Sequence, residues 1–533
     1  TLTTDKKSIA ETTITENNVL KAKTAYTYDS FGNVIKTRVW EKDTNGDGTL
    51  DDTDKFVDVN AEYTYNDDKT YSIYKYVEDL KNADGSTITA VDPRYATDSK
   101  IGYTYNFDSL GNVVSNTSPS GNTITLSYDK LNIHVSKTFS DNTQKTVFFD
   151  DVENYIIAAD ENGTETKYNY DPLGRLVKKS VKNAGIWVTL EEYIYDGVGR
   201  VAETKTYRNA ADYISTLNEY DGQDRLIKQT VKNEQGQTET EYTVSYAAVK
   251  INNKYHLKVT TSYMADGNVT PASNSKYYDN MNRLVKEENS SGETTYATTY
   301  TYDNVGNVTS KTNPRANAAN GTASETYEYD YAGNIVKITN ALGDSAASAY
   351  DMSGKKISDT DYMGNITEYT YDKLGRVVKT SSPFGNGETA ETKSFYNADG
   401  YLVKTQVKKA ENEYDETVYE YDSKGRTVRE AVDYRGINYT YDPAGRLTSR
   451  ILSANAAPKT TTYEYDFLNH KTKETSPLGY FETYAYDYTG NLISQTDEMN
   501  NTLEMSYNAR NLVTSKKANG EVVCSYTYSP LGS

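Results

Sequence analysis

The chain has 533 residues, of which 36% are hydrophobic and 52 are tyrosine, against 10 phenylalanines and 2 tryptophans. With a mean hydropathy of −0.79, it holds too little aliphatic material for a conventionally packed β-sandwich of this length, and no run approaches the roughly 18 apolar residues of a membrane-spanning helix. Asp and Glu number 76 against 57 Lys and Arg, a net charge of −19, which argues against nucleic acid as a partner and fits an acidic, soluble surface.

In chain order, the sequence opens on polar, β-like residues from Thr1 without a basic and apolar signal segment. The portion up to about Tyr105 is irregular and contains one segment unlike the rest, Asp43 to Asp54. It matches a calcium-binding loop: Asp43, Asn45 and Asp47 fall at positions 1, 3 and 5, Gly48 at 6, Thr49 offers its carbonyl at 7, Leu50 stands at 8, Asp51 at 9 and Asp54 at 12. Asp54 is shorter than the usual bidentate Glu, and the flanks Val39-Trp40 and Phe56-Val57 read as strands. The expected cofactor is therefore calcium, held weakly, at about 0.1 to 1 mM.

From Tyr28 onward a phrase Tyr-x-Tyr-Asp-x-x-Gly-Arg/Asn-Leu/Val recurs, often every 21 residues. Clear copies have their second tyrosine at Tyr28, Tyr170, Tyr195, Tyr302, Tyr329, Tyr371, Tyr421, Tyr441 and Tyr486, with looser ones such as Tyr105, Tyr128, Tyr220 and Tyr278 between them. Self-similarity at this period means stacked supersecondary units. Tyr168-Asn169-Tyr170 alternates as a strand, Asp171 can bond backbone two residues on, Pro172 presets φ for a turn, and Gly174 supplies the left-handed residue that closes a hairpin. Where that glycine is missing the chain has Asn132, Asn282, Asn469 or Asp224, the side chains that best tolerate positive φ. Such a hairpin pairs Asp171 with Arg175 at its neck and Tyr170 with Leu176 one step on, predicting a Tyr/Leu ladder on one face and an Asp/Arg ladder on the other.

A second turn separates successive phrases, as at Ser120-Gly121-Asn122, Asn162-Gly163, Met363-Gly364-Asn365, Leu478-Gly479 and Asn519-Gly520. Two turns per period imply two short strands, so the array predicts on the order of forty antiparallel strands, about 190 Å wide if flat. No twisted sheet stays flat at that width; it curls into a spiral or large barrel-like wall. Tyrosine suits a wall wetted on both faces, because its ring packs while its hydroxyl reaches water or a polar partner. The expected fold is thus all-β: one antiparallel β-spiral over residues 1–533, winding into a hollow tube or shell, interrupted by the 43–54 loop and disturbed around Tyr246 to Tyr278.

These Tyr-Asp-x-x-Gly phrases resemble the YD repeats of the Rhs family, which also build the shells of toxin complexes and teneurins. The resemblance implies a hollow β-spiral cocoon and, for bacterial members, an enclosed toxic C-terminal segment as partner, in a secreted or cell-surface protein. The family's C-terminal self-cleaving core has no counterpart here: Asp171-Pro172-Leu173-Gly174 is similar to its Asp-Pro-x-Gly phrase but sits in an ordinary repeat turn. The sequence stops at Ser529-Pro530-Leu531-Gly532-Ser533, part-way through another turn phrase, and is expected to be a piece lacking both caps.

The remaining chemistry is sparse. His134, His256 and His470 stand far apart, Cys524 is the sole cysteine, and no phosphate-cradling loop, nucleophile elbow or zinc-helix motif occurs. The expectation is a non-catalytic structural shell enclosing a C-terminal toxin or effector. The alternative is a surface adhesin whose exposed tyrosines stack on glycans, with a two-carboxylate glycosidase third.

Overall fold

The structure, a computed structural model, describes residues 10–16, 19–44, 49–88, 100–263, 272–291, 294–313, 324–384, 388–410, 413–433, 435–453 and 457–528. These residues form 42 strands of an antiparallel sheet and no helix, as the two turns in each period require.

The hairpin joining strands Glu165–Tyr170 and Leu176–Asn183 shows how the phrase folds. Asp171 N donates to Arg175 O at 2.9 Å and Gly174 N to Asp171 O at 2.9 Å, closing the loop. Asp171 Oδ1 accepts from Leu173 N at 2.9 Å and Arg175 N at 3.0 Å, so one carboxylate oxygen fixes the loop from inside. Tyr170 pairs with Leu176 as the spacing predicts, after a one-residue slip in register between Asn169 and Tyr170. That slip is a bulge that deepens local twist. The glycine substitutes behave as expected: φ is 65° at Asn132, 61° at Asn282, 72° at Asn469 and 61° at Asp224.

One glycine is constrained twice. Gly425 has φ +80°, and a Cβ there would lie inside contact distance of the Tyr401 ring, which stacks on Tyr421 with centroids 5.0 Å apart. Gly375 has φ +77°, but the nearest atom to its Cβ position is Lys355 Cδ at 3.7 Å. Gly375→Ala should therefore cost only the left-handed penalty, about 1 to 2 kcal/mol, whereas Gly425→Ala must also displace Tyr401. Amide exchange compares them: protection should fall around Tyr401 and Tyr421 in the Gly425 variant alone. Equal losses in both variants would remove the stacking argument.

Packing divides the chain into two compact units. The first comprises residues 1–144, 325–439 and 452–457, the second 145–324, 440–451 and 458–533. In the first, the apolar core is small: Leu80, Ile88, Ile101 and Ala398, with Tyr396 packed against them. In the second, buried side chains are isolated, such as Val181 and Ile214. Some strands alternate half-buried with exposed residues, as in Ser345–Tyr350 and Ile366–Tyr371, and others, such as Val201–Tyr207 and Leu226–Lys232, are half-buried along their whole length, which is the sparse packing the composition demands. The disturbed stretch from Tyr246 begins in the longest described strand, the 14-residue Thr238–Ile251, which pairs with Lys254–Tyr263 across a turn at Asn252 and Asn253 with φ of 47° and 63°.

Turns alternate between the two edges of the sheet. YD turns (Asp-x-x-Gly) lie along one edge and the connecting return turns along the other. Within each unit an early run of hairpins lies beside a late run, with residues 270 to 314 positions apart hydrogen-bonded across the line where they meet.

Candidate functional site

The recurrent tyrosine is a hydrogen-bonded staple. In the second unit Tyr195 Oη donates to Leu176 O at 2.7 Å, Tyr220 to Val201 O at 3.0 Å, Tyr246 to Leu226 O at 3.1 Å and Tyr465 to Leu447 O at 2.9 Å. In the first, Tyr371 reaches Lys356 O at 2.6 Å, Tyr396 reaches Val377 O at 2.9 Å and Tyr421 reaches Leu402 O at 2.7 Å. Each bond runs from the end of one hairpin strand to the carbonyl that opens the previous repeat's return strand. This explains why the ring positions hold tyrosine and not phenylalanine, a bias of 52 to 10 that was the available sequence signal. Such a bond contributes about 0.5 to 1.5 kcal/mol net. Tyr195→Phe should lower amide-exchange protection of the hairpins on either side by about 1 kcal/mol, and unchanged protection there would deny the staple.

The Asp and Arg residues form an edge rail, which differs from the predicted ladder on a separate face. Arg175 Nε donates to Asp171 Oδ2 at 2.7 Å, while its guanidinium lies 4.3 Å over the Tyr195 ring of the next hairpin. Arg200 repeats this over Tyr220 at 4.9 Å and continues to Asp221 O at 3.0 Å and Asp224 Oδ1 at 2.8 Å. The arginine side chain is long enough to leave its own turn, cover the neighbouring ring and bond the next turn, so the two ladders merge. The hydrogen bond from Arg175 holds the Asp171 carboxyl below its ordinary range. Asp196 is held down at about 2, chiefly by the Arg200 backbone N–H. His470 takes arginine's place in one turn, with Nδ1 3.0 Å from Asp466 Oδ2 and its ring 4.9 Å from Tyr486.

The meeting line of early and late hairpins holds polar contacts between residues far apart in the chain. In the first unit Glu41, 4% exposed, pairs with Lys55 at 2.8 Å and with Lys355, and its carbonyl accepts from Met352 N at 3.0 Å. Burial pushes the Glu41 carboxyl up, but the two ammonium groups outweigh it and hold it below its ordinary value. Lys424 pairs with Asp141 at 3.1 Å, and Ser120 N donates to Asp399 Oδ1 at 2.9 Å. In the second unit Arg208 is the pin: it donates to Tyr507 O at 3.2 Å, to Asn508 O and to Asn511 Oδ1 at 3.1 Å, and pairs with Glu234 at 3.0 Å. Its own carbonyl accepts from Tyr488 N at 2.8 Å. Nearby, Asn162 Nδ2 donates to Asp442 Oδ2 at 3.1 Å and Ala444 N to Asn162 Oδ1 at 3.2 Å. Apart from Glu41–Lys55 and Arg208–Glu234, which join early residues to each other, each of these contacts seats a late YD turn on an early return turn or strand end, and nothing in the repeat phrase announces it.

Of the expected calcium ligands, Asn45 and Asp47, with Gly46 and Gly48, lie outside the described residues. Asp54 is 6% exposed; its Oδ1 accepts from Thr44 N at 2.8 Å and Thr44 Oγ1 at 3.0 Å, and its Oδ2 from Asp51 N at 3.0 Å. Asp51 Oδ1 accepts from Thr53 N at 2.8 Å and Thr53 Oγ1 at 2.7 Å. Leu50 is buried, and Trp40 Nε1 donates to Asp51 O at 2.7 Å. Asp54 thus clasps both ends of the loop with the carboxylate that position 12 needs, while Asp43 is half-buried and Thr49 exposed. Among the described residues no group of three or more His, Cys, Asp or Glu is arranged to hold a metal. His134 edges onto Tyr128 at 5.7 Å, His256 Nδ1 lies 3.0 Å from Lys254 O, and Cys524 is half-buried with Sγ 3.3 Å from Tyr526 Oη.

Comparison with known proteins agrees with this wall of stapled hairpins. Residues 219–453 match the family model described as the teneurin YD-shell, and no curated protein matches the sequence. Among solved structures, the chain is similar to the TcdB2-TccC3 crystal structure, with a TM-score of 0.51 at 12% identity, covering 96% of this chain and 35% of that one. It is likewise similar to TcdB2-TccC3 without its hypervariable C-terminal region, with a TM-score of 0.52 at 11% identity, covering 96% of this chain and 37% of that one. The chain therefore spans little more than a third of the solved chains it matches, and that likeness is one of fold. The sheet thus has the fold of the toxin-complex structures, and residues 219–453 carry the match to the teneurin YD-shell model.

Proposed function

We propose that this chain is a structural, non-catalytic shell segment of a secreted or cell-surface bacterial Rhs-type protein, and that it encloses a toxin or effector segment of the same polypeptide. The observation that carries the reading is that the polar side chains of the repeat are spent on the wall itself: tyrosines on carbonyls, arginines on turns, and Glu41 and Arg208 on the line between early and late hairpins. A wall so bonded, with so small an apolar core, is suited to separating two aqueous spaces, and a wall without a dedicated reaction site needs no chemistry beyond its own integrity. The test is protease protection of the polypeptide carrying its native downstream segment. The segment should resist digestion until the shell is unfolded; digestion at the rate of the isolated segment would overturn the proposal. Solution scattering should show a depressed interior, and a solid compact particle would count equally against it.

One observation favours the adhesin reading. In the first unit a groove of about 490 Å³ is lined by Phe31, Tyr63, Tyr65 and Tyr76 beside Asp29, Asn60 and Glu62, with Phe31 81% and Tyr65 53% exposed. Exposed rings flanked by carboxylates and an amide suit stacking on a sugar. A glycan array run with the chain and with Phe31→Ala/Tyr65→Ala would decide, since loss of a signal with the double variant is required. The Asp43–Asp54 loop is proposed as a weak calcium site on its spacing alone. Calcium at millimolar concentration should raise the melting temperature of the first unit, and an identical response from Asp43→Ala/Asp47→Ala would dismiss it.

A further inference from the structure

We infer that the line between early and late hairpins in the first unit holds a binding site for one neutral sugar ring. A cavity of about 150 Å³ lies there, walled on the early side by the return turns at 118–122 and 139–143 and on the late side by the YD turns at 397–401 and 422–426. All four turns belong to the same unit. Two contacts join the sides at its walls: Ser120 N donates to Asp399 Oδ1 at 2.9 Å, and Lys424 pairs with Asp141 at 3.1 Å. Tyr103 Oη adds a bond to Asp399 O at 3.2 Å.

The repeat is broken at two of these turns, in the same sense. Return turns commonly open on a residue whose side chain fixes the loop: Asp160 Oδ1 accepts from Asn162 N at 2.9 Å and Thr164 N at 2.8 Å, and Asn340, Asp361 and Asp497 do likewise. Phe139 stands at that position and gives up both bonds. The fifth residue of a YD turn is commonly Arg or Asn bonded to the turn's first residue, as Arg376 is to Asp372 at 2.6 Å and Asn334 to Asp330 at 3.0 Å; at 397–401 it is Tyr401. Both replacements are aromatic, and both line the cavity. Each ring is held in place, Phe139 by the Lys424 ammonium at 4.7 Å and Tyr401 by the Tyr421 ring at 5.0 Å.

The same walls bury two polar atoms, Asn116 Oδ1 and Ser118 Oγ, that have no hydrogen-bond partner among the described residues. Such groups call for a partner from outside the chain. Water would answer the two polar atoms but gains nothing from the two rings. A sugar presents hydroxyls and an apolar C–H face together, which is the combination that lines this cavity. Asp399 and Lys424 already have partners across the line, so no lone charge calls for an ionic ligand. A volume about five times the share of one liquid water is room for one ring and not for an oligosaccharide. The site shares no residue with the groove at Phe31 and Tyr65 and does not rest on the adhesin reading.

Because its walls come from both sides of the line, a bound ring should clamp them together. Amide exchange of the chain in D-glucose, D-galactose or D-mannose tests this, each raised to about 20 mM, well above a Kd of about 1 mM. At least one hexose should raise protection saturably at 118–122, 139–143, 397–401 and 422–426 and leave the second unit unchanged. Asn116→Leu, which removes the amide, and Phe139→Asn, which restores a residue type of other return turns, should each weaken that binding about tenfold, the loss expected of one hydrogen bond or one ring contact. Ser118→Ala takes the place of Asn116→Leu if the latter loosens the wall without sugar. Phe31→Ala/Tyr65→Ala should respond as the parent chain does, which separates this site from the groove. Four results would each overturn the inference: no added protection from any of the three hexoses, a rise spread evenly over both units as an excluded osmolyte gives, parent-like binding by the cavity variants, or loss of the response in Phe31→Ala/Tyr65→Ala.

Discussion

Arg208→Ala should open the line between early and late hairpins in the second unit. Arg208 is 9% exposed, its guanidinium serves Tyr507 O, Asn508 O and Asn511 Oδ1, and Glu234 at 3.0 Å and Asp487 Oδ2 at 3.8 Å from Nε surround it. Asp487, 8% exposed, keeps the donors of its own turn, Thr489 and Asn491, so truncation leaves Glu234 without its guanidinium partner and Tyr507 O and Asn508 O without that donor. Removing one partner of such a pair costs about 3 to 5 kcal/mol, far more than the loss of one tyrosine staple. Because repeat arrays unfold locally, one global midpoint is the wrong readout. Amide exchange is better: protection should fall at residues 208–212, 487–491 and 508–512 and stay unchanged in the first unit. Arg208→Lys should recover little, since a single ammonium cannot fork to two carbonyls and an amide at once. Unchanged exchange at those three turns would mean that the pin carries no weight.

Alkaline unfolding should be steep and should begin only above pH 10. Burial first, then a hydrogen bond to a carboxylate, pushes the phenols of Tyr193, Tyr207 and Tyr484 up to about 12; their partners are Glu191, Glu192 and Glu482. An unfolded tyrosine titrates near 10. A folded value above the unfolded one means that this contribution is fully present below about pH 10 and is lost as pH rises toward 12. Replacing the three tyrosines by phenylalanine should flatten the pH dependence of stability in that window, and the tyrosinate absorbance that the replacements remove should appear in the parent chain only as the β signal is lost. If that difference in absorbance develops near pH 10 with the sheet intact, the expectation is contradicted. The acid side runs the other way: Asp196, held at about 2, contributes stability that is present above the unfolded value near 3.9 and lost as pH falls toward 2.

The sequence by itself determined the hairpin. Asp171, Gly174 and the substitutes Asn132 and Asp224 act within five residues of one another, so their dihedral demands and the Tyr170–Leu176 pairing are legible without any knowledge of the rest of the chain. From two such turns per period the all-β class and the approximate number of strands follow. The scarcity of aliphatic residues likewise announced the thin core. Only the tertiary structure decided what the polar groups do. The tyrosine hydroxyl finds its carbonyl 15 to 20 residues back, and the arginine leaves the face its turn assigns it because the neighbouring ring lies within its reach. The meeting of Arg208 with Asn508, or of Glu41 with Lys355, joins residues 300 and 314 positions apart. That separation depends on how far the sheet curls before early and late hairpins lie side by side, a sum of small twists over many strands that no single phrase encodes.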